Sequence, residues 1–142
     1  MRKKDSIAEF SAERSECLLR NFRESLARQS KISVARAFGD AVDAPAPRFW
    51  VSEVRALKIV RRMLNGDDPT GAMNREKVRM YHEIFKRVLE RMEKEPETPL
   101  GDIVFDVVNS PAPSSYLEPT TAKRIINSLR KIPVKNRRIV TN

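Results

Sequence analysis

The chain has 142 residues, 40% of them hydrophobic and 33% charged, the balance of one ordinary globular domain or two small ones sharing a core. No run approaches the roughly 18 apolar residues of a membrane span, and the basic start Met1-Arg2-Lys3-Lys4 leads into a polar segment; neither signal peptide nor anchor is expected, and the expected compartment is the cytoplasm. A single cysteine, Cys17, excludes an internal disulfide and agrees with a reducing compartment.

The net charge of +9 is unevenly distributed. Residues 1–66 carry 14 Lys/Arg against 8 Asp/Glu, residues 67–119 carry 7 against 11, and residues 120–142 carry 7 cations and no acid. Charge gathered in this way points to a polyanionic partner more strongly than a high pI does. The plainer alternative is a basic surface that only keeps the protein soluble.

In chain order, apolar residues recur at three and four, the period of helices, and strand alternation is nearly absent. Leu18, Phe22 and Leu26 make a stripe that predicts a long amphipathic helix over residues 6–29. A short helix is predicted over residues 33–43 with Ser33 as its N-cap. It stops at Pro45-Ala46-Pro47, because proline lacks the amide hydrogen and disfavours helix in the residue before it. A third helix starts near Ser52 and runs to about Leu64, with Gly66 suited to its C-terminal end. Residues 67–73 read as a linker. Tyr81, Phe85, Leu89 and Met92 then mark a helix over residues 74–94, with Asn74 as N-cap. A short helix is expected over residues 99–109, with Thr98 as N-cap and Pro99 in the first helical position. After Pro111-Ala112-Pro113 the last helix begins near Pro119 and reaches about Ile132; residues 133–142 read as a basic tail.

The two halves resemble each other. At an offset of 66, Ala56, Ile59, Val60 and Met63 fall on Ala122, Ile125, Ile126 and Leu129, and the Pro-Ala-Pro element followed by an aromatic (Trp50, Tyr116) recurs. At an offset of 63, Leu18, Phe22 and Leu26 fall on Tyr81, Phe85 and Leu89; the difference is absorbed by three extra residues in the connection at 95–99, where insertion is cheap. The expected fold is therefore all-α: two tandem three-helix, helix-turn-helix-like units, residues 1–66 and 74–132, related by an internal repeat of about 63–66 residues.

Machinery for catalysis is missing from the sequence. There is one histidine, His82, in mid-helix, no zinc spacing and no Gly-rich phosphate loop. Asp102 and Asp106 share a helix face, but carboxylates near a helix N-terminus are favourable without any metal. The expectation is a non-enzyme with no cofactor and no metal. Trp50 and Tyr116 could stack on bases; their matched place in the repeat favours anchoring the turn in a core.

Binding is better supported. With Ala56, Ile59, Val60 and Met63 packed inward, Arg55, Lys58, Arg61 and Arg62 lie on the outward sides of the third helix. In the last helix the outward set is Thr121, Lys123, Arg124, Asn127, Ser128 and Lys131. Arginine bridges guanine O6 and N7, asparagine pairs with adenine, and hydroxyls and lysines reach phosphates. Lys135, Arg137 and Arg138 of the tail could follow the backbone or a groove. Two such units in one chain make the second contact effectively intramolecular.

Over Pro45–Val60 and Pro111–Ile126 the chain resembles small basic helical proteins of gut Bacteroidota, often found near prophage and mobile-element genes. The resemblance covers most of the chain and implies a bacterial or phage setting. The expected function is nucleic-acid binding, with double-stranded DNA favoured and RNA as a second possibility, in a regulatory or mobile-element role. The competing expectation is a helical protein–protein adaptor, for which Phe49, Trp50 and Leu57 should form one exposed patch.

Overall fold

A computed structural model describes residues 2–131, with side chains over 10–130. It comprises six helices: α1 (Arg2–Arg28), α2 (Val34–Asp43), α3 (Glu53–Leu64), α4 (Arg75–Lys94), α5 (Leu100–Val108) and α6 (Pro119–Lys131). Among the described residues there is no strand, so the all-α expectation holds. No described helix is long and apolar enough to cross a membrane.

The helix starts follow local chemistry. Ser33 Oγ accepts from the Arg36 amide at 3.2 Å, Ser52 Oγ from the Arg55 amide at 3.2 Å, and Asn74 Oδ1 from the Lys77 amide at 2.9 Å. Each satisfies one amide that the first helical turn leaves unpaired. α5 departs from expectation. Pro99, not Thr98, is the cap residue; its carbonyl takes the Asp102 and Ile103 amides, and no side chain caps the helix. Thr98 Oγ1 donates instead to Glu95 Oε1 at 3.3 Å. α1 begins four residues earlier than its apolar stripe suggests. Gly66, at φ +90, takes the left-handed conformation that ends α3.

In space the helices do not assort in chain order. Leu18, Leu19 and Phe22 of α1, Ala37, Phe38, Ala41 and Val42 of α2, and Ala122, Ile126 and Leu129 of α6 form one cluster. Ala56, Ile59 and Val60 of α3 pack with Met80, Tyr81, Ile84 and Val88 of α4 and Ile103, Val104, Val107 and Val108 of α5 in the other. Each half of the chain therefore sends its third helix to the first two helices of the other half. α2 and α3, consecutive in sequence, are not a packed pair. α1 ties the clusters together, since its Phe10 and Cys17 belong to the second one. Each fully buried aliphatic or aromatic side chain in these clusters contributes on the order of 1.5–3 kcal/mol.

The two connections that make this exchange run side by side. Ala46 donates its amide to the Ala112 carbonyl at 2.9 Å, and Ala112 donates to the Ala46 carbonyl at 2.8 Å. The Phe49 amide donates to Val108 O at 2.9 Å, and the Ser115 amide to Val42 O at 2.9 Å. Thus each connection caps a carbonyl in the last turn of the other half's short helix, where the helix itself offers no donor. Every partner in these bonds stands 66 residues from its counterpart: 46 and 112, 49 and 115, 42 and 108.

Trp50 and Tyr116 lie in this core, both buried. Trp50 Nε1 donates to Ser115 Oγ at 3.2 Å, and the Tyr116 ring stacks on Phe49 at 6.1 Å. Tyr116 holds φ +52, a left-handed conformation that is costly for a side chain with Cβ. The Ser114 hydroxyl accepts from its amide at 2.9 Å and donates to Val42 O at 3.1 Å, which holds the turn in place.

Candidate nucleic-acid interface

The outward sides of α3 and α6 follow from what they bury. Ala56, Ile59 and Val60 are buried, and Arg55, Lys58, Arg61 and Arg62 are exposed. Of these, Arg62 is engaged: its Nε lies 3.7 Å from Asp67 Oδ2, beyond the end of the helix. On α6, Ala122, Ile126 and Leu129 are buried, Lys123, Arg124 and Ser128 are exposed, and Thr121 and Asn127 are half-buried. Asn127 Oδ1 accepts from Arg130 Nη1 at 3.2 Å. Two cations of α6 lie over aromatic rings of the cluster they cover: Arg130 5.1 Å from the Phe22 centroid and Lys123 Nζ 6.0 Å from that of Phe38. Such contacts fix a cation's position without neutralising it. The side chain of Lys131, and Lys135, Arg137 and Arg138 altogether, lie outside the described residues.

Two further cations join this set. Arg14 of α1 and Lys77 of α4 line one cleft with Arg55 of α3. Arg14 is partly buried and its Nε has no hydrogen-bond partner. Burial depresses the affinity of its guanidinium for its proton, and the charge of Arg124 on α6 depresses it further. Arg14 is therefore the neighbour that the α3 and α6 faces share. Its signal was present in the sequence: residues 10, 14, 18, 22 and 26 form one stripe at helical spacing, and Arg14 is the polar member among Phe10, Leu18, Phe22 and Leu26. Lys77, in the first turn of α4, had no such signal.

Tyr81 stands against the same group. Burial raises its phenol above the ordinary value, and the nearby Arg55 partly offsets this. The remaining candidates are dispersed. His82 is exposed on α4; Asp106 accepts from Arg91 Nη2 at 3.3 Å, and Asp102 is exposed. Among the described residues no group of three or more His, Cys, Asp or Glu side chains could hold a metal ion.

The patch expected of an adaptor does not form. Phe49 and Trp50 are 1% and 7% exposed and Leu57 is half-buried, because all three pack on the α3–α4–α5 cluster. The large apolar side chains that do reach the surface, Ile32, Val34, Val54, Leu64, Leu89 and Phe105, are spread over α2 and its approach, α3, α4 and α5. No protein-family model, curated protein or solved structure matches this chain.

Proposed function

We propose that the protein is a non-enzymatic nucleic-acid-binding protein that engages double-stranded DNA through the outward faces of α3 and α6, in a regulatory or mobile-element role. The observation that carries this reading is the linkage of the two faces through Arg14, which lines a cleft with Arg55 and feels the charge of Arg124. Basic residues scattered for solubility alone have no need of a desolvated guanidinium at their junction.

We read the two halves as copies of one duplicated unit whose third helices have exchanged cores. The shared offset of 66 in the paired connections supports this. In that arrangement α6 lies beside α2, and α3 beside α5, so each pair stands in for the two helices of a helix-turn-helix. The exposed Arg55, Lys58, Arg61, Lys123 and Arg124 supply phosphate contacts, with Asn127 and Ser128 on α6 as candidates for base edges.

The test is a fluorescence-anisotropy titration with a random duplex over about 50–300 mM salt, since affinity that rests on phosphate contacts falls steeply with salt. Wild type should bind with a steep slope, and Arg55→Ala/Lys58→Ala/Arg124→Ala should weaken binding and flatten the slope by about three counterions. A structured RNA competitor that displaces the duplex at equal concentration would move the reading to RNA. Absence of binding at the lowest salt would remove nucleic acid from consideration.

A further inference from the structure

The cleft at Arg14 encloses about 430 Å³ between α1, the start of α3, the first turns of α4 and the two connections. Three cations line it: Arg14, Arg55 and Lys77. Among the described residues no acidic side chain does, and none of the three makes an ion pair. Phe10, Trp50 and Tyr81 contribute apolar ring surface to its walls. The two carboxylates that act on Tyr116 of the cleft wall, Glu76 and Glu83, are held by Arg79 at 2.9 Å and Arg87 at 2.8 Å.

Such a cluster is costly in a protein that leaves it empty. Like charges repel, and a buried Nε–H without an acceptor loses its hydration for nothing in return. A leucine or methionine at position 14 would continue the stripe of α1 and fill the same space. A ligand that brings its own negative charge removes the conflict.

We infer that this cleft binds an organic phosphate of mononucleotide size, its phosphate oxygens held by Arg14, Arg55 and Lys77 and its flat base against the aromatic wall. Two guanidiniums and an ammonium converging from three helices suit a dianion with three terminal oxygens better than a planar carboxylate, which one arginine satisfies. The volume is that of a small-ligand pocket. A free mononucleotide and the 5′-phosphorylated end of a strand offer this same chemistry. Arg14 and Arg55 also serve the proposed duplex binding, whereas Lys77 does not, so the Lys77 variant tests the cleft apart from duplex binding.

Trp50 is the one tryptophan of the chain and lines the cleft, which makes its fluorescence the readout. The full-length protein is titrated with AMP, adenosine, inorganic phosphate, and a short oligonucleotide with and without a 5′-phosphate. Saturable quenching is expected with AMP, with the 5′-phosphorylated strand, or with both, and the pattern identifies the source. Adenosine and the 5′-hydroxyl strand should bind about tenfold more weakly or worse, and inorganic phosphate should compete. Arg14→Gln and, separately, Lys77→Gln should each raise Kd by about tenfold while circular dichroism stays that of wild type. Two results would overturn the inference: no saturable change with AMP or the phosphorylated strand up to about 5 mM, or equal Kd values in wild type and in whichever of the two variants retains wild-type helicity.

Discussion

Ala46 and Ala112 each donate an amide to the other's carbonyl, and each sits between two prolines that have no amide to give. The central alanine is thus the single donor of its triplet, and it is used on its counterpart in the other half. Both are buried, at 3% and 2% exposure, so the pairing has no room for a larger side chain and no water to replace a lost bond. Ala46→Pro and Ala112→Pro should therefore each lower stability by about 1–3 kcal/mol, and by similar amounts. Urea midpoints for the two variants check this; a large effect in one and none in the other would mean that the connections are not equivalent.

The exchange of third helices makes a second prediction. Residues 1–73 contain α1 and α2 without α6, and α3 without α4 and α5. Expressed alone, this fragment should show little cooperative unfolding, and so should residues 74–142. Mixed at equal concentration, the two should regain helicity and a single thermal transition, because each brings the helix the other lacks. If residues 1–73 fold alone as a monomer with a cooperative transition, α3 does not depend on the other half.

Arg14 should limit stability in the absence of ligand. Arg14→Met keeps the length of the side chain and the stripe of α1 while removing an unpartnered donor and a charge near Arg124. Chemical denaturation should show a gain of about 1–3 kcal/mol for this variant. A loss would show that the stem of Arg14 packs in a way that methionine cannot reproduce.

Alkaline pH should destabilise the fold through three buried acids. Burial raises the Cys17 thiol above its ordinary 9.0 and the Tyr81 and Tyr116 phenols above their ordinary 10.0. Below those values both folded and unfolded states hold the protons. Above them the unfolded chain releases protons first, so stability falls as pH rises through the unfolded and then the folded values. Urea midpoints should be flat between pH 7 and about 8.5 and decline beyond. Cys17 should resist thiol alkylation at pH 8 until the protein unfolds. Rapid labelling of the native protein would contradict its burial.

Much of the local structure was legible in the sequence, because caps and apolar stripes act over a few residues. Ser33, Ser52 and Asn74 begin the helices their chemistry suits, and the inward residues of α3 and α6 are those that periodicity marks. The pairing of helices was not legible. Ala56, Ile59 and Val60 present nearly the same apolar face as Ala122, Ile125 and Ile126, and such a face fits either half's first two helices equally well. What selects the partner is the path of the connections, fixed in each half by one proline on either side of a hydrogen-bonded alanine. The left-handed turn at Tyr116 was hidden for the opposite reason: an aromatic residue carries no local preference for it, and the conformation is imposed by Ser114 and the surrounding core. Arg14 was visible as a charge inside a stripe, but its meaning depended on Arg55 and Lys77 arriving from other helices.

The lending of α6 to α1 and α2 also sets an order of assembly during synthesis. The α3–α4–α5 cluster has all three of its helices once residue 108 has been made, whereas the α1–α2 pair stays open until residue 129. At about 5–20 residues per second the interval is roughly one to four seconds. Until then Leu18, Phe22 and Phe38 lack the α6 side chains that cover them in the folded chain. α6 thus closes a surface made much earlier in synthesis, and until it is added that surface is open to aggregation.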